Sequence, residues 1–263
     1  MSHHKTPILQ RLRRLWRLSS LIISQSRLFT RPESAVAETR NRILAHIGSE
    51  ALKILNVKLH INTPPAVLPS NSLVVANHVS WLDIFAISAL CPSSFIAMKE
   101  MQSWPLLGKI ATHAGTVFIN RGSRKDIGPI NAAIVASLQA GQNVCFFPEA
   151  ATSPGTGLLP FKAALFESAI QAQTPIQPIA LRYYNDVGLR STVPSFANIN
   201  LIKSIWRVLS MQEILITADF TPPIVPAEHP GQDRFALKSL AESRIRSKVY
   251  EDSPEPEPHS DNS

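Results

Sequence analysis

Apolar positions recur along this chain with two different periods. Ile8, Leu12, Leu15, Leu18 and Ile22 lie at helical spacing with Trp16 nearby, and Arg11, Arg14 and Arg17 fall largely on another side. This predicts a basic amphipathic helix with an interfacial aromatic. Farther along, shorter runs read as strands. Val57, Leu59 and Ile61 alternate, and Leu73–Ala76, Phe95–Met98, Thr116–Ile119 and Val144–Phe147 are continuously apolar. Ile176–Tyr184 and Ile214–Phe220 are strand-like as well. Helices are expected between them. Trp81–Leu90 stops at Cys91-Pro92, Trp104–His113 has Pro105 in its first turn, and Asp126–Gln139 ends at Gly141. Phe161–Gln171 and the amphipathic Asp233–Val249 complete the set. Short apolar strands alternating with helices predict an α/β fold whose mainly parallel central sheet is flanked by helices.

Composition narrows this picture. With 263 residues, 44% of them hydrophobic, the chain can bury a sizeable core, and disorder or coiled coil is excluded for its body. Two cysteines make no disulfide framework, which fits a reducing compartment. The net charge of +7 is unevenly placed. Residues 1–31 carry seven basic side chains and no acid, whereas residues 250–263 carry five acids and no Lys or Arg. The basic excess therefore sits with the amphipathic helix. An anionic membrane surface is the expected partner, each such side chain adding about 1 kcal/mol; packing of the same helix on the domain is the alternative. Zinc-finger spacing and aromatic RNA-binding motifs are absent, so nucleic acid is not expected. No apolar run reaches the ~20 residues of a spanning helix, and the N-terminus lacks the pattern of a signal peptide. The Pro-rich acidic end is expected to be disordered.

In parallel sheets, ligands bind beyond the carboxyl ends of strands. Polar clusters fall there: Asn77-His78, Asn120-Arg121 and Pro148-Glu149. On one helix His78 and Asp83 would diverge by about 140°. They meet only if His78 lies in the turn before the helix and Asp83 in its first turn, with Ser80 as N-cap. A carboxylate on one imidazole nitrogen then leaves the other to take a proton from a hydroxyl. Equally, Ser80-x-x-Asp83 reads as a capping box. Arg121, followed by Gly122, Arg124 and Lys125, offers a fork for phosphate or carboxylate, or is a solvated basic turn. Glu149 can bind substrate hydroxyls or pair with Arg121, or is a turn acid with Thr152 and Ser153 capping the next segment. Cys145, inside a strand, reads as a small buried hydrophobe. His3, His4 and His113 lack partners at metal-ligand spacing, so no metal is expected.

Together these residues resemble the glycerolipid (lysophospholipid) acyltransferase family, which includes bacterial 1-acyl-sn-glycerol-3-phosphate acyltransferases. The N-H-x-x-x-x-D block matches Asn77, His78 and Asp83. The G-x-x-F-I-x-R block matches Gly115, Phe118, Ile119 and Arg121, and F-P-E matches Phe147, Pro148 and Glu149. A proline-centred strand matches Pro175–Ile179. Ala150-Ala151 stands where the family has Gly-Thr, with Thr152 and Ser153 as candidate substitutes.

The resemblance implies that His78, oriented by Asp83, is the base that activates a lysolipid hydroxyl toward an acyl thioester. Asn77, Arg121, Gly122, Glu149, Thr152 and Ser153 are the implied substrate-binding residues. Acyl-CoA or acyl-acyl carrier protein is the implied co-substrate, and no resident cofactor is expected. Phe85, Trp104 and Trp206 are candidate linings of an acyl channel, or core residues. The implied layout is a helical membrane-interface region over 1–49, a catalytic domain over 50–250 and a disordered tail over 251–263. The implied location is peripheral, on the cytoplasmic face of the inner membrane. Three rival expectations are a lyso-ornithine lipid acceptor, a non-catalytic membrane-binding relative, and covalent catalysis through Cys145.

Overall fold

The computed structural model describes residues 5–28, 37–67, 69–103, 111–112, 115–119 and 127–254. Seven strands form one sheet: β1 (Val57–Thr63), β2 (Leu73–Ala76), β3 (Ser94–Met98), β4 (Val117–Ile119), β5 (Val144–Phe146), β6 (Ile176–Tyr184) and β7 (Ile214–Phe220). Their spatial order is β1-β7-β6-β2-β5-β3-β4. Every neighbouring pair is parallel except β6 and β7, so β1 and β7 run against the other five. The described helices are α1 (Ile8–Ser26), α2 (Ala37–Ile54), α3 (Leu82–Leu90), α4 (Ile127–Gln139), α5 (Glu167–Ala172), α6 (Leu201–Ser210) and α7 (Arg234–Tyr250).

The pleat sorts these helices into two layers. In β2, Val74 and Ala76 point into a core shared with α1, α2, α3 and α6. Leu73 and Val75 point the other way, onto α4, α5 and α7. Because all four residues are buried, β2 is a continuous apolar run. Its place between β6 and β5 brings Asn77 and His78 out near the middle of the sheet. On the covering helices the contacts recur every fourth residue: Ile130, Ile134 and Leu138 on α4, and Leu237, Ala241, Ile245 and Val249 on α7.

Most predicted elements fall where the pattern places them, and the departures have local causes. The predicted helix over 161–171 begins late. The Lys162 N–H is committed to the Pro148 carbonyl, so a 3-10 turn at Ala164–Phe166 precedes α5. The 201–210 helix is not expected from the pattern; Asn200 caps it by accepting from the Lys203 N–H at 2.8 Å. Helix α2 runs through the expected 49/50 boundary and belongs to the core through Ala51, Leu52 and Ile54. Gly48 lets it touch α3, since a Cβ there would meet the Phe85 carbonyl oxygen at 2.6 Å. Of the predicted helix over 104–113, residues 104–110 and 113 lie outside the described residues.

The amphipathic reading of α1 divides in two. Leu15, Leu18, Leu21 and Ile22 pack on the core, and Leu18 is buried. Arg14 is buried as well, and its guanidinium donates to the carbonyls of Met211 (2.7 Å) and Gln212 (3.1 Å) beyond the end of α6. Ile8, Leu9, Leu12, Trp16 and Ile23 instead face outward. One side of α1 thus packs on the domain, as the alternative reading expects, and the other faces outward.

The first residues of the acidic end are also held. Asp252 accepts from Arg190 (2.8 Å), Arg182 (3.1 Å) and Tyr184 (2.7 Å), and Ser253 donates to the Thr156 carbonyl at 2.5 Å. Residues 255–263 lie outside the described residues.

Candidate active site

His78 lies in the turn after β2 and Asp83 in the first turn of α3, the arrangement that lets them meet. His78 Nδ1 is 2.7 Å from Asp83 Oδ2. The same oxygen accepts the N–H groups of Val79 (2.8 Å) and Ser80 (2.9 Å). The bond to Ser80 is the acid half of a capping box, so the two sequence readings describe one carboxylate doing both jobs. The Ser80 hydroxyl, expected as the N-cap acceptor, makes a long 3.4 Å contact with the Leu82 N–H, and Trp81 rather than Ser80 stands at the N-cap. Asp83 also sits in the first turn of α3.

The imidazole is fixed in plane as well as in direction. It stacks on Phe147, with centroids 4.1 Å apart and the planes 11° from parallel. The His78 side chain is 19% exposed, whereas Asp83 is sealed. With Nδ1 turned to the carboxylate, Nε2 is the ring nitrogen left for a reacting group.

Glu149 follows β5, as the sequence predicts, but its carboxylate does not face a ligand. Oε1 accepts the His78 N–H at 2.5 Å and Oε2 accepts the Leu159 N–H at 2.8 Å. Burial pushes this carboxyl up to about 8, while the two backbone donors pull it down. Asn77 is also committed to the frame. Its amide donates to the Leu181 carbonyl (2.9 Å) and accepts the Leu181 N–H (2.7 Å), pinning the end of β2 to β6. Ser153 is buried; its N–H donates to the His78 carbonyl (2.7 Å) and its carbonyl accepts from Ser195 (2.8 Å). Asn77, Glu149 and Ser153, expected as substrate-binding residues, thus also bind neighbouring chain and hold the histidine turn in place. Thr152 remains half-buried at the loop surface. Asn120, Arg121, Gly122, Arg124 and Lys125, with Trp104 and His113, lie outside the described residues.

The 150–158 loop packs directly on the histidine turn. Gly155 has φ +94°, and a Cβ there would come within 2.9 Å of Val79 Cγ1. Arg190 donates to the Gly155 carbonyl and to Asp252, which links the loop to the end of α7. Ala150 adopts φ +58°, which explains why its family counterpart is glycine.

Two further residues complete the picture. Tyr183, in β6, donates its phenol hydrogen to Asp83 Oδ1. Sequence reasoning missed it. Its signal was the Ile179, Leu181, Tyr183 alternation, which puts all three on the α3 side of the sheet. Cys145 is fully buried, and burial first, with the charges of Cys91 and Asp83, holds its thiol well above the ordinary range. A sealed, protonated thiol is no nucleophile. Trp206, a candidate channel lining, is 40% exposed on α6 beside α1. No group of three or more metal-ligating side chains converges among the described residues.

Comparison with known proteins agrees with this geometry. Residues 56–182 match the family model described as Acyltransferase. The chain is 48% identical over 252 residues to the 1-acyl-sn-glycerol-3-phosphate acyltransferase of Neisseria meningitidis serogroup B, covering 96% of this chain and 98% of that protein. It is 35% identical over 178 residues to the lyso-ornithine lipid O-acyltransferase of Pseudomonas aeruginosa, covering 68% of this chain and 67% of that one. The crystal structure of the 1-acyl-sn-glycerophosphate acyltransferase of Thermotoga maritima shares the fold, with a TM-score of 0.67 over 95% of this chain and 98% of that chain at 18% identity. With nearly half of its residues shared with one relative across almost its whole length, this chain belongs to the acyltransferase family and is an O-acyltransferase.

Proposed function

We propose that the protein moves a fatty acyl group from an acyl thioester to the free hydroxyl of 1-acyl-sn-glycerol-3-phosphate, giving phosphatidic acid. The observation that carries the chemistry is the 2.7 Å contact from His78 Nδ1 to Asp83 Oδ2, on a ring whose Nε2 is turned away from the carboxylate. His78 Nε2 takes the hydroxyl proton as that oxygen attacks the thioester carbonyl. The tetrahedral intermediate then collapses, the C–S bond breaks, and the imidazolium returns its proton to the leaving thiolate. Asp83 supports the imidazolium between these steps. The donor is CoA- or carrier-protein-linked, and because a thioester is already activated the reaction requires no resident cofactor. Arg121 is the proposed holder of the acceptor phosphate, its fork suited to that anion. The acceptor itself is supported by the Neisseria relative.

A second reading, lyso-ornithine lipid as acceptor, is favoured by the Pseudomonas relative. Purified protein given labelled acyl thioester and each lysolipid separates the two. Faster turnover of lyso-ornithine lipid would replace the first acceptor, and turnover of neither would defeat the reading altogether.

We further propose that the protein works on the cytoplasmic face of the inner membrane, through the outward side of α1 together with α6. Leu9 is 82% exposed, Trp16 70% and Ile202 81%, too much apolar surface along adjacent helices for a face meant for water. Arg13, Arg17 and Lys203 lie exposed beside it, and the Arg11 guanidinium stacks over Trp206, 5.3 Å from its centroid. No described helix is long and apolar enough to cross a membrane. Replacing Leu9, Leu12 and Trp16 by serine should abolish flotation with anionic vesicles while turnover of detergent-dispersed acceptor persists. Flotation equal to the parent protein would refute this surface.

A further inference from the structure

The described contacts place a buried tyrosine hydroxyl behind the His–Asp pair. Asp83 Oδ2 already accepts three donors: the His78 ring and the N–H groups of Val79 and Ser80. Its other oxygen, Oδ1, accepts from the Tyr183 phenol. The contacts therefore run Tyr183, Asp83, His78, joining strand β6, the start of α3 and the histidine turn. Tyr183 is fully buried, so it cannot touch a substrate. Burial and the neighbouring charge of Asp83 push its hydroxyl well above the ordinary range, and it stays a donor at working pH.

We infer that Tyr183 is a positioning residue for acyl transfer: its O–H fixes the rotamer of Asp83 and draws part of the carboxylate charge onto Oδ1, setting how tightly the pair holds the transferred proton. Packing alone would be served as well by phenylalanine, because the ring already lies in the core beside Leu181 and Ile179. The hydroxyl is the part that touches the site. A buried network with every member satisfied holds one geometry, and an acid with one oxygen unbonded does not. Glu149 and Cys145 also interact electrostatically with Asp83, so they are the ionisable neighbours against which an altered pH response must be checked.

This inference rests on His78 being the base, and the experiment tests the two separately. Full-length Tyr183→Phe is compared with the parent protein and with His78→Ala. The expected result is a kcat about tenfold lower, the value for one hydrogen bond to a charged group, with acceptor KM within about twofold. The acid limb of the kcat/KM profile should move to higher pH, because charge returned to Oδ2 holds the ring proton more tightly. Proton NMR at low field should show the His78 Nδ1–H resonance shifted, a readout that survives lowered stability. An unchanged acid limb together with an unshifted resonance overturns the role of Tyr183, whatever happens to kcat. Turnover retained by His78→Ala overturns the base assignment itself.

Discussion

Two carboxylates bracket His78, and their surroundings are similar. Asp83, at the start of α3, and Glu149, after β5, are both buried, and each accepts backbone N–H groups of the histidine turn or its neighbours. They differ in one further partner. Asp83 also reaches the imidazole ring, and a tyrosine hydroxyl completes its coordination. Glu149 holds only backbone, at His78 and Leu159. One acid therefore acts on the reacting group, and the other acts on the chain that carries it. Of the two, only Asp83 touches the imidazole ring.

Asp83→Asn should separate the two acids most sharply. The amide matches the carboxylate in size, with its oxygen placed to accept from His78, Val79 and Ser80, yet the charge that supports the imidazolium is gone. Turnover should fall about 10²- to 10⁴-fold, far more than the melting temperature, which should drop modestly because the amide nitrogen then faces the Tyr183 hydroxyl. Steady-state kinetics beside thermal unfolding would show this, and a variant within threefold of the parent would place the base elsewhere.

Glu149→Gln should give the opposite balance. Glutamine supplies one acceptor where two backbone donors wait, and the unmatched N–H costs about 1–3 kcal/mol. The loss should be read in denaturant midpoints, while the acid limb of the kcat/KM profile stays where it is. The same pair reports on burial of the acid. The folded-state pKa of Glu149 is raised from 4.5 to about 8, so its protonated form is the one folding favours. Its contribution is fully present below pH 4.5 and is lost as pH rises through about 8. The stability of the parent relative to Glu149→Gln should decline across that window; a flat difference would mean the backbone donors cancel the burial.

The smallest effect belongs to the loop that carries Glu149. Ala150 at φ +58° adopts a conformation that costs an L-residue roughly 1 kcal/mol. Ala150→Gly should raise the melting temperature slightly and leave the pH profile alone. A loss of stability would show that the alanine methyl packs better than its backbone suffers.

Much of the fold was legible along the chain. The buried central strand Leu73–Ala76 announces itself as an unbroken apolar run, and α4 and α7 as fourfold-spaced stripes, because burial on one or two faces dictates which positions must be apolar. The His78–Asp83 pair was legible too, since a five-residue separation works only across a strand-to-helix turn. Helix α6 was not. Its stripe of Ile205, Val208 and Leu209 does face the core, but it is confined to ten residues, and Ile202 and Trp206, equally apolar, face outward and blur it. The stripe on α1 was read as one surface, yet Leu18 and Leu12 serve opposite sides of the helix.

By itself the sequence determined the layer architecture, the turn that joins base to acid, and the kinship with acyl-transferring enzymes. Hydrophobic period and short-range spacing are local properties, and these features depend on nothing farther away. Only the tertiary structure decided which polar atoms were already spoken for. Asn77 is consumed by Leu181 and Glu149 by Leu159, and Asp83 is completed by Tyr183, a hundred positions distant. A hydrogen bond needs its two atoms within about 3 Å, and sequence separation carries no record of that approach.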